Sequence, residues 1–387
     1  MGIRTTTAVL AAAVALGAGP GVAAPAFGPA AAEAIDRAAA RQIESGAAPG
    51  LAIEVVQDGK VVFSRAYGKA NLEWGIPATP DTVFRIASNT KAFTAASVLI
   101  LVERGKLSLD DKVATYLPDF PRAGDVTVRQ LLTHTSGLAT YDETYHGKPE
   151  LAVQRTTPEM LGLIRGLQPL YDFEPGTAYR YSNSGYYVLG AIVEKVSGQP
   201  LGQFMADNIF KPLGLRNTAM DEAQDIVPHR AAGYERDSTR PGGYRNAAEI
   251  PYTTPGPAGG LRSTVGDLTH WYEALFSGKL VSRPLLAEMT TPARLKDGRV
   301  TSQGLWAAPG RSAPPIPPYE YGFGIRISNL QGHREYWHSG AIEGFTSQLR
   351  TYPDDKVTIA LLSNGFRSLD GVLEVVERAA LGLDPAR

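Results

Sequence analysis

Patterns that predict β-strands lie at the two ends of this chain, and patterns that predict helices fill its middle. Near the N-terminus, "GLAIEVVQDGKVVFSRAYG" (50–68) contains two β-rich runs joined by Asp-Gly, which predicts a hairpin. Four more β-rich runs lie close together at 321–364. The simplest packing is an α+β fold, in which both ends build one antiparallel sheet flanked by terminal helices, with a mainly α-helical lobe inserted.

Helical spacing is clearest in three segments. An Ala-rich amphipathic helix is predicted at 30–45, and a final helix is predicted for "LDGVLEVVERAALG" (369–382). The run at 92–102 is interrupted only by Thr94 and Ser97, which predicts a helix buried on nearly all sides. Four further segments of the middle region carry the same spacing, at 127–134, 158–167, 186–198 and 201–210.

The first residues are typical of an export signal. Arg4 precedes the short apolar run at 9–17, and small residues follow at 22–24, where cleavage is expected after Ala24. The run is too short to span a bilayer, so a periplasmic or secreted protein without a stable membrane anchor is predicted. The chain contains no cysteine, which excludes disulfides, a lipid-modified cysteine and a thiol nucleophile.

Length and composition indicate a globular protein of one large domain. The chain has 387 residues, of which 43% are hydrophobic and 20% are charged. The formal net charge is -1 and no block of Lys and Arg occurs, so no nucleic-acid partner is predicted. We predict a signal peptide at 1–24 and one large domain at 25–387, with an α/β lobe at about 30–87 and 260–387 and a helical lobe at about 88–259.

Ser88 and Lys91 form the only Ser-x-x-Lys of the chain, within "FRIASNTKAF" (84–93). If a helix begins near Ser88, the positive charge of the lysine lies close to the partial positive charge of the helix N-terminus. The repulsion between these like charges lowers the lysine pKa. A neutral amine can take the proton of the neighbouring hydroxyl, and the first N–H groups of the helix can stabilise an oxyanion. The alternative is an N-cap serine with an exposed lysine, because 20 Ser and 11 Lys give about one such spacing by chance.

A second candidate element is Tyr181-Ser182-Asn183, within "YRYSNSGYY" (179–187). A phenol can relay a proton where a nearby cation lowers its pKa, and an asparagine amide can bind a substrate amide as both donor and acceptor. The alternative is a polar loop in which one of these residues caps a helix. "YRN" (244–246) has the same spacing and is a competing match.

A third candidate element is His338-Ser339-Gly340, at the end of a β-rich run in "WHSGAIEGF" (337–345). A glycine at a strand edge lets a substrate backbone approach closely, and the N–H of Ala341 can supply an oxyanion donor. The alternative is a strand-to-turn step with a half-buried histidine.

Together and in this order, the three elements resemble the active-site motifs of the serine β-lactamase and penicillin-binding protein superfamily. The Tyr-Ser-Asn element resembles the class C β-lactamase-like and D,D-carboxypeptidase-like branch, and phrases such as "VTVRQLLTHTSGL" extend the resemblance over roughly 45–365. The resemblance implies a β-lactamase/transpeptidase-like fold. It also implies a serine hydrolase that acts on a small-molecule or peptide substrate and needs no cofactor or metal.

The resemblance also implies a role for each matching residue. Ser88 would be the acylated nucleophile, Lys91 its proton acceptor, and Tyr181 a general base and acid. Asn183 would hold the substrate amide, and the N–H groups of Ser88 and Ala341 would form the oxyanion hole. Tyr181 is preferred to the tyrosine of "YRN" because the residues before and after it also match the family.

His338 departs from the pattern, because many members of the superfamily carry lysine there. Histidine titrates near neutral pH, so a carboxylate held by His338, Ser339 and Gly340 would bind less firmly or only at lower pH. This departure weakens the case for an efficient β-lactamase and leaves D-amino-acid peptidase, amidase and esterase activities open. A pH-dependent KM for carboxylated substrates is predicted.

Other function classes fit the sequence less well. No serine has glycine at both -2 and +2, as an α/β-hydrolase requires, and the six histidines are scattered without a metal-binding spacing. A penicillin-recognising binding or sensor protein with little turnover is the remaining alternative. "LLTHTSGL" (131–138) is interpreted as a structural loop, and the oligomeric state is not predicted.

Overall fold

Thirteen β-strands are present in a computed structural model that describes residues 26–312 and 314–384. The signal peptide predicted for 1–24 therefore lies outside the described residues. The strands are β1 Gly50–Gln57, β2 Lys60–Asn71, β3 Ile76–Pro77, β4 Phe84–Arg85, β5 Ala219–Met220, β6 Tyr234–Arg236, β7 Tyr244–Asn246, β8 Leu261–Ser263, β9 Glu320–Tyr321, β10 Arg326–Leu330, β11 His333–Ile342, β12 Phe345–Tyr352 and β13 Val357–Ser363.

Eight of these strands form the central antiparallel sheet, in the order β3-β2-β1-β13-β12-β11-β10-β9. Strand β1 lies between its hairpin partner β2 and the last strand, so that Leu51 pairs with both Tyr67 and Ser363. The prediction of one antiparallel sheet built from both ends of the chain is therefore confirmed. Strands β4, β8 and β5 form a small second sheet, and β6 and β7 form a separate two-stranded ribbon.

The helices include one at each segment where helical spacing was identified. They are α1 Pro29–Glu44, α2 Thr90–Glu103, α3 Val128–Leu132, α4 Tyr141–Thr144, α5 Thr157–Arg165, α6 Asn183–Ser197, α7 Leu201–Met205, α8 Lys211–Leu213, α9 Gly256–Gly259, α10 Val265–Phe276, α11 Arg283–Met289 and α12 Asp370–Leu381. Two of the longer helices, α10 and α11, were not predicted and lie between 265 and 289. The segment predicted as one helix at 201–210 is divided, because a π-helical turn, Ala206–Phe210, follows α7.

Two hydrophobic cores lie on opposite faces of the central sheet. On one face, α1 and α12 pack together over apolar residues of β1 and β13, such as Ile53 and Ile359. On the other face, α2 and α10 belong to the larger core, which continues into the helical region. Residues 90–101 of α2 are all buried, because α6, α7 and α9 pack against this helix and Phe93 stacks on Trp271 of α10, which itself packs on the sheet. The α+β architecture inferred from the sequence is thus confirmed.

Candidate active site

The turn that carries Ser88 is tied to the central sheet. Residues Ala87–Asn89 form a 3-10 turn before α2, so the α-helix begins at Thr90, two residues later than the sequence suggests. Ala87 has the left-handed φ of 47°, a conformation that is uncommon for a residue with a side chain. The side chain of Asn89 donates to Ser347 Oγ at 2.8 Å, and Ser347 Oγ donates to the carbonyl of Ile86 at 2.7 Å. These bonds fix the turn against β12.

Lys91 lies completely buried below Ser88. Its Nζ is 3.2 Å from Ser88 Oγ, 2.7 Å from Asn183 Oδ1 and 2.8 Å from the carbonyl oxygen of Ala258. Burial lowers the pKa of Lys91 well below its ordinary value, an effect that Asp142 opposes and that the positive charge of Arg326 adds to. The alternative of an exposed lysine beside an N-cap serine is therefore excluded.

These contacts specify how a neutral Lys91 amine would be oriented. The oxygens of Asn183 and Ala258 can only accept hydrogen bonds, so they take the two N–H groups of the amine. The lone pair is left for the third neighbour, the Ser88 hydroxyl. In this state Ser88 donates its proton toward Lys91, which is the direction that activation of a serine nucleophile requires.

Tyr181 and Asn183 reach the same site from the start of α6. Ser182 is the N-cap of this helix, and its hydroxyl accepts from the N–H of Gly185. The Tyr181 hydroxyl neighbours the side chain of Ser88, and Lys91 Nζ lies 4.7 Å from the centre of the Tyr181 ring. Burial raises the pKa of Tyr181 above its ordinary value, and the interaction with Ser88 opposes this shift. At neutral pH Tyr181 is therefore a neutral phenol, which can donate or relay a proton.

His338 belongs to the same cluster of side chains as Tyr181 and is fully buried. Its Nδ1 is 2.6 Å from the carbonyl oxygen of Ser339, and its Nε2 is 3.0 Å from the Tyr321 hydroxyl. Because a carbonyl only accepts, Nδ1 carries the proton, and Nε2 accepts from Tyr321. Burial and the charges of Arg326 and Lys91 lower the pKa of His338 well below its ordinary value.

This geometry corrects the sequence-based role of His338. A neutral ring with both nitrogens engaged has neither the charge nor the free donor needed to bind a substrate carboxylate. The cation beside this strand is instead Arg326 on β10, whose Nη1 donates to Ser339 Oγ at 2.8 Å. The guanidinium contacts the rings of both Tyr319 and Trp337, at 4.6 and 4.7 Å from their centres. The sequence offered no pattern that pointed to Arg326.

Gly340 allows β11 to approach the nucleophile. A Cβ atom at this position would lie 2.3 Å from the carbonyl oxygen of Ile86, 2.4 Å from Ser347 Oγ and 3.0 Å from the backbone nitrogen of Ser88. Any side chain would therefore push the strand away from Ser88. The next residue, Ala341, is exposed and lines the cavity in front of Ser88. The two N–H groups assigned to the oxyanion hole thus belong to adjoining segments.

His134 is a buried member of this cluster that the sequence-based interpretation placed in a structural loop. Its backbone is left-handed (φ 58°), and its carbonyl accepts from the N–H of Arg180 at 3.1 Å. Its Nδ1 accepts from the N–H of Ser182 at 3.1 Å, and its ring lies 4.4 Å from that of Tyr181. His134 therefore fixes the backbone on both sides of Tyr181.

A cavity of about 280 Å³ lies in front of Ser88. Asn183 and Ala341 line it together with Asp142, His146 and Glu343, among others. The competing match at 244–246 forms β7 of the two-stranded ribbon, and none of its residues is among the described residues that line this cavity. Within 26–312 and 314–384, no helix is long and apolar enough to cross a membrane.

The fold and the Ser-Lys-Tyr arrangement are those of a β-lactamase-type serine hydrolase, and the sequence comparison agrees. The profile of the Beta-lactamase family matches residues 35–383, so the chain belongs to the Beta-lactamase family. Penicillin-binding protein 4* of Bacillus subtilis is 29% identical over 321 residues, which cover 80% of this chain and 66% of that protein. The putative penicillin-binding protein PbpX of B. subtilis is 32% identical over 66% of this chain and 61% of its own length. The chain spans less than two thirds of these curated relatives.

Solved structures match over nearly the whole chain. D-amino acid amidase from Ochrobactrum anthropi SV3, in complex with L-phenylalanine amide, has a TM-score of 0.76 and 27% identity, covering 91% of this chain and 99% of that one. D-stereospecific amidohydrolase from Streptomyces sp. has a TM-score of 0.75 and 26% identity, covering 90% and 98%. The octameric penicillin-binding protein homologue from Pyrococcus abyssi has a TM-score of 0.77 and 27% identity, covering 91% and 78%.

Proposed function

We propose that this protein is an exported serine hydrolase that is acylated on Ser88 and cleaves amide or ester bonds of D-amino-acid derivatives. One observation carries the proposal: buried Lys91 places Nζ 3.2 Å from Ser88 Oγ, while two acceptor oxygens occupy its N–H groups. The similarity to D-amino acid amidases over 98–99% of their chains supports this substrate class. The periplasmic or secreted location is supported by the signal-like segment at 1–24.

In the acylation step, neutral Lys91 takes the proton of Ser88 as Oγ attacks the substrate carbonyl. A C–O bond forms, and the carbonyl oxygen becomes an oxyanion that the N–H groups of Ser88 and Ala341 stabilise. The proton passes from Lys91, directly or through the Tyr181 hydroxyl, to the leaving amine or alkoxide. The C–N or C–O bond to the leaving group then breaks, and an ester on Ser88 remains.

In the deacylation step, water attacks the ester carbonyl and gives up a proton to the Lys91–Tyr181 pair. The bond to Ser88 Oγ breaks, and Ser88 recovers the proton as the acid product leaves. Since burial keeps Tyr181 neutral, its role is to relay protons between Ser88, Lys91 and the leaving group or water. Lys91 is the group that supplies the basic lone pair.

A substrate panel with the purified mature protein tests the proposal. The panel contains a nitrophenyl ester, a chromogenic cephalosporin, a D-Ala-D-Ala peptide and a D-amino-acid amide, each measured with a Ser88→Ala control. We expect turnover of the ester and the amide by the native protein and none by the variant. Full activity of Ser88→Ala on every active substrate would contradict the assignment. Stable labelling by a fluorescent penicillin, without turnover of any substrate, would instead favour a binding or sensor protein.

A further inference from the structure

Three arginines converge on one aspartate beside a second cavity, of about 240 Å³, which we call the arginine cavity. The guanidinium nitrogens of Arg85, Arg230 and Arg262 lie 3.3, 3.2 and 3.7 Å from the carboxylate oxygens of Asp221. The small sheet brings them together, because Arg85 on β4 pairs with Arg262 on β8. Like charges directly opposite each other in an antiparallel pair are destabilising, so fold stability alone does not favour this arrangement.

The positive charge of this cluster is only partly neutralised by its own ion pairs. Three guanidinium groups face Asp221, and Asp225, whose side chain is 45% exposed, pairs with Arg262 at 3.0 Å. Glu249 and Glu343 also line the arginine cavity, and both act on Arg85 through their charge. Among the described residues, neither of them forms an ion pair with the three arginines, and Glu249 is exposed to solvent.

Arg85 has hydrogen-bond donors that the surrounding protein does not satisfy. Its side chain is only 12% exposed, and its Nη2 atom is buried without an acceptor in the part of the chain that the structure describes, while its Nε contacts Asp221 only as an ion pair at 3.3 Å. The Nε of Arg230 is likewise buried without an acceptor among the described residues. Buried donors without acceptors are costly and rare in folded proteins, which indicates that an acceptor from outside the chain completes the site.

We propose that the arginine cavity binds a carboxylate or phosphate group whose oxygens accept hydrogen bonds from Arg85 and Arg230. Two sources of such a group are compatible with the geometry. Ile250 and Glu343 line both this cavity and the one in front of Ser88, so an acyl substrate with an anionic end can extend from one into the other. A free anion can also bind there alone. The substrate source rests on the proposed hydrolase function, whereas anion binding itself does not.

The first experiment measures anion binding in the Ser88→Ala protein, because this measurement does not depend on enzymatic activity. Thermal unfolding is followed in inorganic phosphate and in sodium chloride of equal ionic strength, so that general screening cancels. We expect the Tm to rise with phosphate and to saturate below about 10 mM. Arg230→Gln and Arg262→Gln should abolish the rise, and Glu249→Gln should lower the phosphate concentration needed. Arg283→Gln, an exposed arginine on α11, is the matched control that keeps the full response.

The second experiment tests the substrate source with the active protein. The nitrophenyl esters of N-acetyl-D-alanine and N-succinyl-D-alanine carry the same reacting ester, and only the second has an anionic end. If the substrate supplies the anion, the kcat/KM ratio of succinyl to acetyl ester exceeds one and falls about tenfold in Arg230→Gln, as loss of a charge-assisted contact predicts. A rise in Tm with phosphate, together with equal kcat/KM values for the two esters, would assign the site to free anions. No phosphate response in folded protein and no ester preference would overturn the proposal.

Discussion

Lys91 Nζ and Asn183 Oδ1 lie 2.7 Å apart, although the two residues are 92 positions apart in the chain. This contact connects α2 to the first residue of α6. It also limits what Asn183 can offer a substrate, because the amide oxygen is already used by Lys91. The sequence predicted that Asn183 binds a substrate amide as donor and acceptor, whereas the structure leaves its NH2 group as the available donor. A substrate carbonyl oxygen is the complementary partner.

Replacement of Lys91 by arginine should remove the proton acceptor, because a guanidinium stays protonated. We expect kcat/KM to fall by roughly 10²–10⁴-fold, the usual contribution of a general base.

In the native protein, activity should be lost as the pH falls through the lowered pKa of Lys91, so the acid limb of the pH–activity profile should lie far below pH 10.5. Arg326→Gln removes a like charge and should move this limb to higher pH. Lys195→Arg, at an exposed position on α6, is the control and should change neither quantity.

Replacement of His134 should affect turnover more than substrate binding, because His134 positions the backbone around Tyr181. His134→Ala removes the acceptor for the Ser182 N–H, and we expect kcat to fall about tenfold to a hundredfold with little change in KM. His134→Asn should restore most of the activity, since asparagine tolerates a left-handed φ and its Oδ1 can accept the same bond. Equal losses in both variants, or a change in KM alone, would contradict the positioning role.

His338 should remain neutral from about pH 6.5 to 8, because burial lowers its pKa well below the ordinary value of 6.5. The pH-dependent KM expected from the sequence for carboxylated substrates should therefore be absent. Carboxylated and neutral esters should show parallel pH profiles, and the ¹⁵N shifts of the His338 ring should stay constant over this range. Diverging profiles that become parallel in His338→Gln would show that the ring does titrate near neutral pH.

Gly340→Ala should impair both stability and turnover. The added methyl group would overlap the carbonyl oxygen of Ile86 and Ser347 Oγ, so we expect the free energy of unfolding to fall by about 1–3 kcal/mol. The displaced strand would also move Ala341 away from Ser88 and lower kcat. Gly371→Ala on α12 is the matched control, because a Cβ there meets no atom within 4 Å. Unfolding in urea and kinetics on one nitrophenyl ester are sufficient to compare the two variants.

The Glu377 carboxyl should make stability fall as the pH rises. Burial, together with the charge of Glu335, raises the pKa of Glu377 from 4.5 to about 7, although Arg350 opposes the shift. The folded state thus binds a proton more tightly than the unfolded state, and this contribution is complete below pH 4.5 and lost between pH 4.5 and 7. The stability of the native protein relative to Glu377→Gln should decrease over that interval. A difference that is constant with pH would contradict the prediction.

The fold could be predicted from the sequence because its signals are local. The hairpin at 50–68 is encoded by two β-rich runs around a turn in which Asp58 and Gly59 both have a positive φ. The buried helix was visible because its apolar residues are nearly continuous. The π-helical turn at Ala206–Phe210 was not predicted, because it shifts the apolar pattern by only one position within an otherwise helical segment.

Residues of the candidate site were predicted only where they belong to a short sequence motif. Ser88, Lys91, Tyr181 and Asn183 come together in the structure as the motifs suggested. The lowered pKa of His338 could not be inferred, since it depends on complete burial and on the nearby charges of Arg326 and Lys91. The catalytic roles themselves stay predictions until the variants described above are measured.

The strand order has a consequence for how the protein acquires its structure. Strand β13 lies in the middle of the sheet, between β1 and β12, and pairs Ser363 with Leu51 near the other end of the chain. Contacts between such distant segments close large loops and make folding slow. During synthesis, β1 can therefore pair with β2 but not with β13 until residues 357–363 have been made. A ribosome-bound chain that lacks these residues would carry Ser88 and Lys91 but would lack the strand that joins β1 to β12, on which the nucleophile turn is fixed.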